Sequence, residues 1–420
     1  MIRPQHATWT LEPLRPLPDF VPFSPPSIGD DEIKEVVDTL TSGWLTTGPK
    51  TEAFESALKQ RVGADHAVAV NSCTAALHLA LQALDIGPED GVITSPYTFA
   101  STGHVILYQG AQPFFVDVEP DTFNMDPAKL SAFLETQCRW DGPNRCLRHR
   151  HTGRTIKAVL PVHYGGHPCQ MDEIFDLARS YGLHVVEDAA HAIGSEYKGR
   201  PVGSLGDITC FSFYATKNLT TGEGGMAVTN LPELAERMRV LSMYGISDAR
   251  RIWKRYAPKG SWVYDVRELG FKYNMMDIQA ALGIHQLKRL DEFIARRREN
   301  ADIYNQAFQD IPGVYTPVVQ PYAQSAWHLY PILLDPELIS ISRDQFIEEL
   351  KALNIGTSVL FIPLHLHSYY QRTLPYQEGD FPMAEMIFRR IVNLPVSPAL
   401  SAENACNVAE TVAALIRRHV

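Results

Sequence analysis

Residues 66–81, HAVAVNSCTAALHLAL, change period half-way along and so decide the class of fold. His66 to Val70 is a short apolar run of strand type, Asn71-Ser72 is a turn, and Thr74 to Leu81 continues with helical spacing. The same pairing recurs down the chain. Strand candidates follow at Val92–Thr94, Phe114–Asp117, Ala158–Val162, Leu183–Glu187, Ile208–Phe213 and Met226–Thr229. Helical patterns separate most of the early ones; between Met171 and Tyr181, for instance, Ile174, Leu177 and Ala178 share a face. Strands alternating with helices predict an α/β fold, a mostly parallel sheet of seven strands covered on both faces.

Past residue 275 the pattern changes. Met276 to about Asn300 reads as one long helix, and its charged run Arg296-Arg297-Arg298-Glu299 as a solvated helix end. From Ala326 onward, two or three strands and two helices suggest a smaller α+β unit. The expected division is a large domain over 1–285, with an N-terminal arm, and a small C-terminal domain over 286–420. Residues 138–156 and 249–262 are basic and turn-rich, and read as exposed loops.

Composition sets limits. With 45% hydrophobic and 20% charged residues in a chain of 420, there is material for a packed core and no signature of disorder. Lysine plus arginine number 38 against 48 acidic residues, a net charge of −10 that argues against holding nucleic acid by charge alone. No helix-turn-helix pattern or basic arm is visible, so no nucleic-acid partner is expected. No apolar run reaches about 18 residues, so no membrane span is expected. The segment MIRPQHATWTLEPLRPLPDF is broken by prolines and lacks the apolar region of a signal peptide. Six cysteines without a CxxC pair do not make a disulfide framework, and the cytoplasm is the expected compartment. Cys138, Cys146, His149 and His151 share one basic loop, but their spacing fits no structural zinc pattern, and no metal is expected. The glycine clusters Gly165-Gly166 and Gly222-Glu223-Gly224-Gly225 match neither the dinucleotide nor the P-loop pattern.

Three segments carry chemistry. Leu183 to Glu187 is an apolar strand running straight into Asp188, and ligands of open α/β sheets bind at the carboxyl ends of strands. Phe211 to Phe213 leads through Tyr214-Ala215-Thr216 to Lys217, with a glycine-rich turn beyond. Burial in such surroundings depresses an amine from a pKa of about 10.4 toward neutrality, and a neutral amine can condense with a carbonyl. Asn71-Ser72-Cys73-Thr74 turns a strand into a helix through small residues, and free N–H groups there suit an anion. Together these supply what pyridoxal phosphate requires: a lysine for its aldehyde, an acid for its ring nitrogen, a phosphate cradle and an apolar cover.

On these residues the chain resembles the sugar aminotransferases of the pyridoxal-phosphate type I fold, the DegT family. The resemblance runs from Ser42-Gly43-Trp44-Leu45-Thr46-Thr47-Gly48-Pro49 to the last helix. It is carried by Glu187-Asp188-Ala189-Ala190-His191, Ser212-Phe213-Tyr214-Ala215-Thr216-Lys217-Asn218 and Gly270-Phe271-Lys272-Tyr273-Asn274-Met275-Met276-Asp277. It implies amination of the 4-keto position of a nucleotide-linked sugar, with an amino acid, glutamate, as donor, by a homodimer whose active sites are shared. Lys217 would hold the cofactor's aldehyde as a Schiff base and shuttle the proton, and Asp188 would pair with the ring nitrogen. His191 would lie near the phenolic oxygen, where the family often has glutamine, and Phe99 would stack on the ring. Cys73, Thr74 and Ser212 would hold the phosphate, Cys73 through its backbone because the family often has glycine or threonine there. Asn274 would reach the phosphate of the neighbouring subunit. Thr46, Thr47, His163 and His365 fall where the family lines its sugar site. Relatives that dehydrate sugars carry histidine in place of the lysine, so Lys217 points to transamination.

Two other readings stay open at this point: the same chemistry on another ketone, such as a cyclitol or a polyamine-like substrate, and a cofactor-binding regulator without turnover.

Overall fold

The computed structural model describes residues 14–246 and 264–420. The basic segment 249–262 and the first 13 residues lie outside the described part. Strands β1 (His66–Val70), β2 (Asp90–Thr94), β3 (Gln112–Phe115), β4 (Cys138–Asp141), β5 (Cys146–His149), β6 (Thr155–Leu160) and β7 (His184–Asp188) come first. A small hairpin, β8 (Glu196–Tyr197) and β9 (Arg200–Pro201), precedes β10 (Ile208–Ser212) and β11 (Gly225–Thr229). The main sheet has the order β1-β11-β10-β7-β6-β2-β3. Neighbours from β10 to β3 are parallel, and β11 is antiparallel to both β1 and β10. The seven strands read from sequence are these seven.

Residues 138–156 are not a loop. β4 and β5 form an antiparallel hairpin, and Leu147 and Arg148 of β5 pair with Ile156 and Thr155 of β6, which extends the sheet to nine strands. The alternation that makes β5 a strand is short: Leu147 and His149 turn inward, while Cys146 and Arg148 face out. Arg148 spends its charge on Asp141 across the hairpin, at 2.9 Å, so a basic run hides a two-residue period.

The helix Cys73–Ala83 is buried nearly all round because it lies between the sheet and the helices Ala100–Tyr108 and Pro232–Leu241. A helix apolar on every side is stable only in such a position. Ser72 caps it, accepting a hydrogen bond from the Ala75 N–H. The long helical pattern after Met276 is two helices, Asp277–Lys288 and Leu290–Phe308, separated at Arg289, whose φ of −95° and ψ of 2° leave helical geometry. The second one joins two cores: Leu290 and Ile294 pack with Phe54, Phe213 and Met275, whereas Ala301, Tyr304 and Phe308 pack with Tyr330, Phe346 and Val412. Its charged run is not wholly solvated either, because Arg297 is 1% exposed.

The second core is formed by a three-stranded antiparallel sheet, β12 (Val314–Tyr315), β14 (Tyr330–Leu334) and β15 (Ile391–Leu394), in the order β12-β14-β15. The helices Arg343–Ala352 and Ala402–His419 cover it, and two shorter ones, Ser368–Thr373 and Pro382–Arg390, lie between, four helices where two were expected. A further strand, β13 (Ala323–Gln324), pairs with β8. The N-terminal segment reaches this second core: Val21 belongs to it, and the Leu17 and Val21 N–H groups bond to the carbonyls of Leu353 and Asn354, while Ser24 Oγ bonds to the Thr216 carbonyl. No helix among the described residues is long and apolar enough to cross a membrane.

Candidate active site

Strands β7 and β10 lie side by side and end together, so Asp188 and the turn after Ser212 meet at one edge of the sheet. The Asp188 carboxyl is buried. Its Oδ2 accepts from Thr102 Oγ1 at 2.7 Å and its Oδ1 from the Ala190 N–H at 3.1 Å. Thr102 is held in turn by Thr98, 2.7 Å away at the start of the helix Ala100–Tyr108. Burial pushes the Asp188 pKa up, and the two hydrogen bonds and the Lys217 charge oppose it.

Lys217 ends a tight turn in which its N–H bonds to the Tyr214 carbonyl at 2.9 Å. The residue is half-buried, but its amine is well enough removed from water that burial lowers its pKa to about 8. The neighbouring Cys73 and Asp188 act upward on it, and the Arg297 guanidinium acts downward. An amine at that value is about one-tenth uncharged at pH 7, far more than an ordinary lysine, and that neutral form can attack a carbonyl.

The start of the helix Cys73–Ala83 closes one side. Ser72 satisfies Ala75 and its carbonyl takes the Ala76 N–H, while the N–H groups of Cys73 and Thr74 find no acceptor among the described residues. A Cβ on Gly225 would fall 2.4 Å from the Cys73 nitrogen, so only glycine lets β11 pass this close. Ser212, paired with Gly225 across the strands, is buried beside it. The geometry is that of an anion cradle.

A layer of rings lies nearby. His191 stacks on Phe361 at 5.7 Å and lies 4.2 Å from His328, centroid to centroid, and Phe361 is 6.0 Å from Phe99. Phe99 is 62% exposed, free to cover a flat ligand. His191 Nδ1 accepts from the Gly165 N–H at 3.2 Å, which leaves its proton on Nε2. Burial holds His191 and His328 well below the usual histidine range, so both are neutral.

The loop expected near the substrate is fastened to the 270–277 motif. Thr47 Oγ1 donates to the Met275 carbonyl at 2.6 Å and accepts from Asn274 Nδ2 at 2.7 Å, while the Thr46 carbonyl takes the Asp277 N–H. Asp277 is buried and accepts from the N–H groups of Gly48, Lys50 and Thr51 and from Thr51 Oγ1. Asn274 therefore lies against Thr47 of its own chain.

Two residues expected at the substrate, His163 and His365, lie inside the protein. His163 is fully buried with both ring nitrogens engaged: Nδ1 accepts from the Cys169 N–H at 3.1 Å and Nε2 donates to Glu187 at 2.9 Å. Glu187 also takes Thr209 Oγ1 and the Gly206 N–H, so the pair is a strut within the sheet. His365 is likewise fully buried and bonds Glu385 at 2.9 Å. Neither ring has an open path to a sugar.

Several residues of the site escaped sequence reading. Thr102 follows Phe99 by three positions, one helical turn, and that spacing is its only signal. Asn218 stands beside Lys217 in the quoted motif; its Nδ2 donates to the Ala326 carbonyl and its Oδ1 accepts from His328 Nδ1 at 3.1 Å. Arg297 donates to the carbonyls of Trp327 and His328, both at 3.3 Å. Its signal was helical phase: Phe293, Arg297, Asn300, Ala301 and Tyr304 are all buried on one side of their helix.

Comparison with known proteins bears on this arrangement. The model of the DegT/DnrJ/EryC1/StrS aminotransferase family matches residues 26–413. The chain is similar to the spore coat polysaccharide biosynthesis protein SpsC of Bacillus subtilis, 51% identical over 399 residues, covering 95% of this chain and 97% of that one. Spr1654 from Streptococcus pneumoniae, provisionally assigned as a sugar aminotransferase and solved in its PLP form, superposes with a TM-score of 0.83 at 33% identity, covering 95% of this chain and 99% of that one. DesI, solved in the presence of its TDP-sugar product, gives 0.81 at 31% identity, covering 97% and 95%.

Proposed function

The chain belongs to the DegT/DnrJ/EryC1/StrS aminotransferase family, and from that premise we propose that it moves an amino group from L-glutamate to a nucleotide-linked 4-keto sugar, with Lys217 as the residue that holds its cofactor. It is a pyridoxal-phosphate-dependent sugar aminotransferase. The residues present fit that cofactor: a near-neutral amine, a carboxyl beside it and two uncommitted N–H groups at a helix start lie together. When bound, pyridoxal phosphate supplies an aldehyde for amines and a ring that accepts electrons from the bond being broken.

Each residue then has a task. The Lys217 amine would bind the aldehyde and, once released by the donor's own amine, would take the proton from the donor's Cα and deliver it to the cofactor's aldehyde carbon, on the far side of the bridging nitrogen. Asp188 keeps a proton on the ring nitrogen, its charged form favoured by Thr102 and the Ala190 N–H. His191 offers its Nε2 proton to the ring oxygen, and Phe99 excludes water from the exposed face. The N–H groups of Cys73 and Thr74, with Ser212 Oγ, hold the phosphate. Thr46 and Thr47 approach the sugar.

The same reading makes the working unit a homodimer in which Asn274 reaches the partner's phosphate site. An apolar stripe of Ile33, Val37 and Leu40 on the helix Asp30–Ser42, together with Leu269 at 88% exposure, supports it. The division of the chain near residue 285 belongs to this reading too, four residues before the break at Arg289. The cytoplasm is the proposed compartment, in keeping with six free thiols.

The observation that carries the proposal is the depressed Lys217 amine beside the buried Asp188 carboxyl. Borohydride reduction of the holoenzyme should tag Lys217 alone, and Lys217→Ala should abolish turnover; a tag elsewhere, or an active variant, refutes it. A panel of keto nucleotide sugars against free cyclitol and polyamine-like ketones tests the acceptor, since activity without a nucleotide favours the rival substrates. Absorbance change on adding glutamate alone separates an enzyme from a regulator.

A further inference from the structure

Arg297 is the largest fully buried side chain of the described residues and has no carboxylate partner among them. Its Nε has no hydrogen-bond partner among the described residues. Burying a guanidinium without a counter-charge is costly, and structures keep such a group only where it does something a neutral side chain would not.

Its surroundings say what that is. Trp327 adopts a φ of 48°, a region disfavoured for a large L residue. The segment 325–329 is held in this shape from all sides. The Ala326 and Leu329 N–H groups bond to the carbonyls of Gly166 and Gly165, the Trp327 N–H to Ser325 Oγ, and the Ala326 carbonyl to Asn218. Arg297 donates to the carbonyls of Trp327 and His328. Asn218 receives the His328 Nδ1 proton, so the Nε2 lone pair of His328 is left free, next to His191.

We propose that Arg297 is a positioning residue for amino transfer: through the Trp327 and His328 carbonyls it fixes the His328 ring against His191 and Asn218, and it sets an unpaired positive charge within electrostatic reach of Lys217. The proposal rests on Lys217 as the cofactor-holding residue. The charged and titratable groups around that amine are Cys73 and Asp188, which favour its protonation, Arg297, which opposes it, and the neutral rings of His191 and His328. Among the described residues Arg297 is thus the cation acting against the ammonium form, although burial lowers its own pKa to about 9. It also disfavours a proton on His328.

Two substitutions separate charge from hydrogen bonding. Arg297→Gln can still donate to a carbonyl but carries no charge, and Arg297→Lys keeps the charge but not the fork. In the apoenzyme, acetylation of Lys217 followed by mass spectrometry across pH gives the midpoint of the amine. Arg297→Gln should raise it, and Arg297→Lys should leave it in place. In the holoenzyme both should lower kcat about tenfold or more with a smaller change in KM, because each loosens the His328 backbone. A parental midpoint in a folded Arg297→Gln variant overturns the proposal. Should that variant fail to fold, Arg297→Lys decides: a parental midpoint with lowered kcat supports it, and a raised midpoint overturns it. Borohydride tagging of the parent enzyme is read independently, so a cofactor found on another residue is distinguishable from a failure at Arg297.

Discussion

Five histidines are buried in or around this site, and the fold gives each a different role through partners distant in sequence. His163 is locked between the Cys169 N–H and Glu187, and His365 is bonded to Glu385 with its Nδ1 left unpaired. His167 accepts from the Gln320 N–H on Nε2 and donates from Nδ1 to the Pro168 carbonyl. His191 and His328 keep one nitrogen free. Burial lowers His167 to about 4 and holds His191 and His328 well below their usual value. The unfolded chain then binds protons that the folded one refuses. Stability is therefore unaffected above a pH of about 6.5 and falls as pH drops below it, by up to about 1.4 kcal/mol per pH unit for each such histidine. Denaturant unfolding of the apoenzyme from pH 8 to 5 checks this, with His167→Gln expected to remove one proton from the slope; a flat profile would contradict it. Thr102→Val tests the other kind of residue. It deletes a donor to a buried carboxyl, so Asp188 should become harder to ionise and cofactor affinity should drop about tenfold in equilibrium dialysis.

Whole elements are aimed by equally local devices. The helix Pro49–Val62 starts against Asp277, which satisfies three N–H groups and the Thr51 hydroxyl. Asp277→Ala would strip these donors of their acceptor in a buried place and should cost about 2–4 kcal/mol by chemical denaturation. The Thr46–Gly48 loop hangs from the same anchor, so the variant's KM for the sugar should rise more than kcat falls. Gly225→Ala would drive a Cβ into the backbone of Ser72 and Cys73, which cannot swing aside as a side chain could. Loss of bound cofactor on dilution, with the fold intact by circular dichroism, is the expected outcome. These cases show what local sequence conveys. Strands were plain in β1, β7 and β10 because each carries apolar residues, Ala67–Val70, Val185-Val186, and Ile208 with Cys210-Phe211, against a clear break. The hairpin β4–β5 was not, because one buried leucine and one buried histidine among arginines make no visible period. The break at Arg289 was not either, since no glycine or proline marks it.

At the scale of the molecule, the positions of Lys217, Asp188 and the Ser72–Thr74 turn were legible because each stands where a strand ends or a helix begins. His328 was not, since its contact with Asn218 spans 110 residues and leaves no mark on local spacing, and for Arg297 the only mark was its phase on the buried side of its helix. The same scale holds the remaining apolar surface. Ile33, Val37 and Leu40 recur at helical spacing on the outer side of the helix Asp30–Ser42, whose inner side packs on Asp277–Lys288. Leu269 projects just ahead of the motif that carries Asn274. A monomer gains nothing from exposing these side chains, and the proposed dimer is the arrangement that would cover them. Val37→Asp places a charge in the middle of the stripe without touching any residue of the site, and burying it unpaired in an interface is strongly unfavourable. Sedimentation velocity at micromolar concentration should show a dimer for the parent chain and a monomer for Val37→Asp, and the monomer should retain its fold but lose at least about nine-tenths of its activity through its incomplete phosphate site. Val37→Ile should stay dimeric and active. A parent chain that sediments as a monomer and is fully active would remove Asn274 from the reaction and confine catalysis to the residues of one subunit.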